Sequence, residues 1–411
     1  MYSESNMKIS ELIKREPFER IFRETMVLFL NDLTGVTHKV SWRDKKYLQS
    51  LSDSKQYWYC NPLINSIFVK RVKPDVFNSI NGEYQHNPLR PWRSIFQRLY
   101  LLLSQSELTS VYMSKYMVTI SPSIKNAENK LIIGGNTKIR IIDIDRKIVY
   151  VILKSGFDKK YMEREVYVRA NFPYLPIPKI NEYGNHSLWH QESYVVGRSP
   201  NRMDQDAGRS ALFKAVKYIH RMLNETKREE SVSQYVAAIK GKIDSGLHSV
   251  SYINVNIKND IQAIVSALIK HLKEYPHNLI NTAHCHGDFH QGNILSDGNN
   301  DWILDWEYSE RKQIGYDLFM SLLESRMVNG FSSRFLKLMN NQFDDNQKEL
   351  ANNWPGINWD DSMARKVYLT VFLLEDVCFH IDEINNNIFY KDPDILASYL
   401  NELKKIIYNS F

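Results

Sequence analysis

Apolar residues recur at helical spacing in two stretches of the first third of the chain, 18–30 (FERIFRETMVLFL) and 92–104 (WRSIFQRLYLLLS). Pro88 and Pro91 punctuate the approach to the second. The pattern predicts a mainly helical region over residues 1–120. After Pro122 the texture changes. The segment NKLIIGGNTKIRIIDIDRKIVYVILKSG (129–156) is dense in Ile and Val, with Gly134-Gly135 in its first third and Asp145-Arg146 further on. It predicts strand, glycine turn, strand, turn, strand. A charged helix is expected at 158–172, then a proline-marked extended piece, PYLPIPKINEYG, and another strand in ESYVVG (192–197). From there the helical period returns. Leu212, Phe213, Val216, Ile219, His220 and Leu223 fall on one face of 211–223, and 259–274 and 362–383 also read as helices. A small β-rich piece (121–196) before a large helical piece (197–411) predicts an α+β protein of two lobes, behind an N-terminal extension (1–120).

Composition agrees with a folded chain. Its 411 residues are 43% hydrophobic and 12% aromatic, which excludes a disordered polymer. Three scattered cysteines, Cys60, Cys285 and Cys378, argue against a disulfide framework. The start, MYSESNMKIS, lacks the basic-then-apolar order of a signal peptide, and no apolar run approaches ~18 residues. A soluble cytoplasmic protein is expected, with no transmembrane segment. The net charge of +6 is confined to one region. Seventeen Lys and Arg stand against eleven Asp and Glu in residues 1–120, while the remainder balances at thirty-six of each. The basic, aromatic stretch 41–60 reads as a solvated face beside core aromatics, and no nucleic-acid partner is expected. The extension is a candidate for dimerisation or partner docking.

The densest chemistry is His284-Cys285-His286-Gly287-Asp288-Phe289-His290. As a zinc site it is incomplete: the spacing of a binuclear zinc hydrolase asks for a histidine at 289, where Phe stands, and a slip of one residue redirects the side chain. After His290 only His380 remains. As a phosphotransfer loop it has company. Asn293 lies five residues after Asp288, and Asp305 twelve after Asn293, on either side of ILSDGNNDWIL, a hairpin pattern with an Asp-Gly-Asn-Asn turn. The hairpin returns Asn293 beside Asp305. An acid to orient and deprotonate a hydroxyl, with an amide and a second acid to hold Mg²⁺, is what transfer from ATP requires.

These residues, HGDFHQGN and ILDWEYSERKQIGYDLF (303–319), resemble the aminoglycoside phosphotransferase and choline kinase family, relatives of the protein kinases. The resemblance implies a bilobal protein-kinase-like fold. It implies that Asp288 is the catalytic base, that Asn293 and Asp305 are metal ligands, and that Asp317 supports the loop. His286 would order the loop by hydrogen bonding. In the smaller lobe it implies a phosphate turn at Gly134, Gly135, Asn136 and Thr137, and a lysine, Lys154, paired with Glu165 (Glu163 being the competing partner). The connector would read adenine near Ser193, Tyr194 and Val195. His220 is read as a packed core residue. The expected cofactors are ATP, with GTP not excluded, and Mg²⁺; the acceptor is a small-molecule hydroxyl, with sugars, amino sugars and amino alcohols as the classes. Glu375, Asp376, Asp382 and Glu383 would suit a cationic acceptor, but read more simply as a solvated helix face. A protein kinase, a silent nucleotide-binding module and a zinc-dependent hydrolase are the rival readings.

Overall fold

The structure is a computed structural model describing residues 8–44, 55–78, 91–250, 252–274, 278–324, 327–386, 388–389 and 393–410. Part of the basic stretch 41–60 lies outside them. The chain forms two compact units. One comprises Glu4–Ala215 and Gln291–Glu307; the other comprises Val216–His290 and Tyr308–Phe411.

The first unit is built on helices α1 (Ile9–Arg15) and α2 (Phe18–Thr34), followed by strands β1 (Lys39–Asp44), β2 (Gln56–Asn61) and β3 (Ser66–Val69). Helices α3 (Pro91–Gln105) and α4 (Ser110–Met113) precede β4 (Tyr116–Ser121), β5 (Lys130–Gly134), β6 (Lys138–Asp143) and β7 (Ile148–Leu153). Then come α5 (Lys160–Asn171), β8 (Ile180–Tyr183) and β9 (Trp189–Ser193). The nine strands form one sheet in the order β1-β4-β2-β3-β5-β6-β7-β9-β8. Every pairing is antiparallel.

Strand alternation sends successive side chains to opposite faces. On one face Ile139, Ile141, Tyr150, Ile152 and Trp189 join Ile9, Leu12, Phe22, Met26 and Phe29 of the first two helices. On the other, Ile142, Val149 and Val151 join Leu131, Phe68 and Phe77. α2 forms because Phe18, Ile21, Phe22, Thr25, Met26, Phe29 and Leu30 recur every three or four residues, and it stops at Gly35, whose φ of 69° closes the helix with an N–H bond to Asn31 O.

Residues 1–120 also carry strands that the mainly helical reading did not include. Both expected helices exist, but β1, β2, β3 and almost all of β4 also come from this region and are interleaved in the sheet. The compact unit that holds these strands continues through residue 120 to Ala215. The strands escaped notice because β2 buries Trp58, Tyr59, Cys60 and Asn61 consecutively. A strand covered on both faces has no polar alternation to read.

The chain passes through α6 (Gln205–Thr226) into the second unit, which contains β10 (Arg228–Ser231), α7 (Val232–Ser249), α8 (Val255–Lys273) and β11 (Leu279–Cys285). A short hairpin, β12 (Ile294–Ser296) and β13 (Asp301–Ile303), returns to the first unit. β14 (Glu310–Gln313) and helices α9 (Tyr316–Leu323), α10 (Phe331–Met339), α11 (Asp345–Asn352), α12 (Ser362–Asn385) and α13 (Pro393–Ser410) complete the second. Its small sheet runs β10-β11-β14, and α12 is its central helix, with an unbroken buried run from Val367 to Val377. The architecture is α+β, with a sheet-rich N-terminal part and a helical C-terminal part, as the sequence pattern implied.

Candidate active site

β11 delivers the chain to His286, which is fully buried. Gly287 follows with φ 84°, and a Cβ there would sit 2.1 Å from the carbonyl oxygen of Tyr308, so only glycine fits. Both backbone N–H groups of this bend donate to one carboxylate: His286 N to Asp317 Oδ2 at 2.7 Å and Gly287 N to Asp317 Oδ1 at 2.9 Å. Asp317 lies in the first turn of α9 and is buried. Burial pushes its carboxyl up to about 6, against the pull of the two amide donors. Asp288 N donates to His286 Nδ1 at 3.3 Å, which makes that ring nitrogen an acceptor. His290 Nε2 lies 3.7 Å from Asp288 Oδ2. Among the described residues, the histidines of this stretch form no three-ligand cluster.

In the first unit, β12 and β13 pair Ile294 with Ile303, and Leu304 N donates to Asn293 O at 2.8 Å. Asp297 caps the turn by accepting the N–H groups of Asn299 and Asn300. Asn293 and Asp305 consequently wall one cavity of about 190 Å³, together with the connector Ser193–Gly197, Arg140, Ile142 and Val149. Asp305 holds a left-handed backbone, φ 58°, uncommon for a residue with a side chain. Ser193 and Tyr194 spend their N–H groups on Lys179 O and Lys147 O.

The expected pairing of Lys154 with Glu165 is not formed. Lys154 follows β7 in the parity of Tyr150 and Ile152, and so faces α1 and α2. There its ammonium pairs with buried Glu16 and donates to Asn136 O at 2.9 Å, over the rings of Phe18 and Phe157. Burial drives it down to about 8, opposed by Glu16. Glu165 instead pairs with Lys138, on the opposite face of β6. Lys138 Nζ also lies 2.8 Å from Glu307 Oε2 and 3.8 Å from Asp305 Oδ1. Burial disfavours this ammonium, but the three carboxylates outweigh it and hold it above the usual lysine range. Glu165, for its part, stays well below the carboxylate range despite its burial, held there by Lys138 and Arg169. Glu163 is exposed. Arg140, two residues from Lys138, is ion-paired with Asp305, and Thr137 Oγ1 donates to Glu307.

The glycine turn is gripped from the N-terminal region. A Cβ on Gly134 would meet Leu12 at 2.9 Å and Ile9 at 3.0 Å. Asn65 brackets Gly134, donating to its oxygen at 2.9 Å and accepting from its nitrogen at 3.3 Å. Arg15 donates to the backbone and side-chain oxygens of Asn136 at 3.0 and 3.3 Å.

The residues that sequence reasoning passed over are Lys138, Arg140 and Glu307. The signal lay in KIRIID, where alternation puts two cations on one face of an otherwise apolar strand. The solvated-face reading of α12 also fails for two acids. Glu375 and Asp376 are buried, accepting from Tyr235 and Gln313, and from Tyr399. Burial pushes the Glu375 carboxyl up to about 7. His220 is a packed ring, edge-on to Trp354 at 4.8 Å, and burial lowers it to about 4.

Glu165, Asp305 and Glu307 bring three carboxylates within 4.8 Å of one another. Hard oxygen donors of this kind, with the Asn293 amide on the cavity that Asp305 also walls, suit Mg²⁺. No helix among the described residues is long and apolar enough to cross a membrane.

Residues 194–351 match the model of the phosphotransferase enzyme family. No curated protein matches the chain. Among solved structures, a choline/ethanolamine kinase family protein from Mesorhizobium loti is similar at 14% identity, over 77% of this chain and 96% of its own, with a TM-score of 0.45. The aminoglycoside phosphotransferase APH(4)-Ia is similar at 14% identity, over 69% and 94%, with a TM-score of 0.46. The choline kinase of Cryptosporidium parvum Iowa II is similar at 13% identity, over 69% and 89%, with a TM-score of 0.41. The matched stretch, 194–351, is the one that carries the His-Gly-Asp loop, the hairpin and Asp317, and it is similar to the phosphotransferase enzyme family.

Proposed function

We propose that the protein transfers the γ-phosphoryl group of ATP to a hydroxyl of a small molecule, with Mg²⁺. The observation that carries this reading is the cavity on which Asn293, Asp305 and the connector converge, with the Lys138–Glu165 pair extending the charged cluster at Asp305. Asn293 and Asp305 hold the metal, which when bound screens phosphate charge. Lys138, aimed by Glu165, orients the triphosphate in the role the sequence assigned to Lys154. Ile142, Val149, Leu295 and Leu304 offer apolar surface to a base. Because Ser193 and Tyr194 have given their amides to backbone carbonyls, the base edge is read by carbonyls of the connector or by amides beyond Tyr194. Asp288 orients the acceptor hydroxyl and takes its proton. The loose transition state of phosphoryl transfer leaves positioning and charge neutralisation as the main work of these groups.

A thermal unfolding scan tests the reading. Mg²⁺·ATP at ~100 times its dissociation constant stabilises by about 2.7 kcal/mol, a readable shift of midpoint. Wild type is expected to shift and Asp305→Ala not to. Asp288→Asn is expected to shift like wild type yet transfer nothing to a panel of sugars, amino sugars and amino alcohols. An unshifted wild type sinks the nucleotide reading, and an active Asp288→Asn sinks the base.

A further inference from the structure

Lys138 and Arg140 share a face of β6 but sit in different surroundings. Lys138 is shut in between Glu165 and Glu307, its side chain 1% exposed. Arg140, one pleat further along, is 21% exposed and walls the cavity that Asn293 and Asp305 wall. Its guanidinium is ion-paired with Asp305. It also passes close to the glycine turn: a Cβ on Gly135 would lie 3.2 Å from Arg140 Nη1. The carboxylate assigned above to the metal is therefore held by a cation of the protein.

We propose that Arg140 is a second phosphate-binding cation that stands in for the metal when no nucleotide is bound. This rests on the nucleotide reading and deepens it. The carboxylates of Glu165, Asp305 and Glu307 lie together in a poorly hydrated place; Lys138, with Arg169 at Glu165, supplies two positive charges for the three. In the nucleotide-free protein Arg140 supplies the missing charge at Asp305. A divalent ion arriving at Asp305 repels the guanidinium and makes its charge redundant there. The same ion brings phosphate oxygens, which the planar fork of arginine fits better than an ammonium does. Arg140 then releases Asp305 and turns to the phosphates.

Calorimetric titration of ADP, without metal and with Mg²⁺, on wild type, Arg140→Gln and Arg140→Lys tests the phosphate contact. Mn²⁺ binding to the nucleotide-free proteins, followed by the resonance of free Mn²⁺, tests the stand-in. Arg140→Gln is expected to weaken metal-free ADP by about tenfold, the worth of a charge-assisted hydrogen bond. It is expected to tighten Mn²⁺ severalfold, because Asp305 is released. Arg140→Lys should fall between wild type and the Gln variant on both axes, and it carries the test alone if Arg140→Gln does not fold. Unchanged ADP affinity, or Mn²⁺ affinity that stays or falls, overturns the proposal. A wild type that binds no ADP overturns the nucleotide reading itself.

Discussion

Asp317 shows how much one buried carboxyl can control without touching a reactant. It accepts the N–H groups of His286 and Gly287, and so fixes the bend from which Asp288 projects. Only the ionised form offers acceptors to both amides. Its carboxyl sits at about 6, raised by burial. The sign for stability follows: a carboxyl that holds its proton more tightly when folded stabilises most below its unfolded value near 4, and that contribution is lost as pH rises through about 6. Activity runs the other way, since protonation below about 6 turns one acceptor into a donor and loosens the bend. The expected pH profile of kcat has an acid limb near 6. Asp317→Asn should lower kcat at every pH and flatten that limb, with KM for ATP little changed. An unaltered limb in the Asn variant would assign it to another group.

At the scale of single elements, β6 and β7 divide the charges by parity. Lys154 points to the helices and Lys138 to the carboxylates, so the two lysines should fail differently when replaced. Lys154→Met leaves buried Glu16 with Arg15 as its remaining cation, and a lowered Tm is the expected signature of the weakened pairing. Lys138→Met should also lower Tm, since Glu165 and Glu307 lose their ammonium, but should in addition weaken Mg²⁺·ATP binding and kcat. The reverse pattern would return the phosphate role to Lys154. This division marks where sequence reasoning stopped. The hairpin that joins Asn293 to Asp305 was legible because an Asp-Gly turn between short apolar runs specifies its own pairing. Helix α5 was legible by its charge pattern, and the resemblance singled out Glu165 on it, though with Lys154 rather than Lys138 as partner. The choice between Lys138 and Lys154 was not. Periodicity says that they occupy opposite faces, but only the helices stacked on one face say which side remains for the carboxylates. Arg140 and Glu307 were hidden for the same reason, being ordinary charges until the sheet is assembled.

At the scale of the whole chain, the first 120 residues had looked like an appendage and prove to be part of the sheet unit. β3 pairs with β5 through Ile67 and Ile132, and α1 and α2 cover Ile139, Ile141, Tyr150, Ile152 and Trp189. Arg15, Asn65 and Lys154 together fix the glycine turn. Removing the region would bare those five side chains at about 1.5–3 kcal/mol each. The total, ~7–15 kcal/mol, equals the whole stability of an ordinary domain. It would also leave β5 as an unpaired apolar edge, which invites association. A chain starting at residue 121 is therefore expected to aggregate, or to show no cooperative unfolding transition by calorimetry. A docking or dimerisation module attached to a self-sufficient enzyme predicts the opposite: a soluble fragment that unfolds cooperatively and still binds Mg²⁺·ATP. That outcome would make the extension an accessory. Its absence would mean that the glycine turn owes its position to residues 69 and 121 places earlier in the chain.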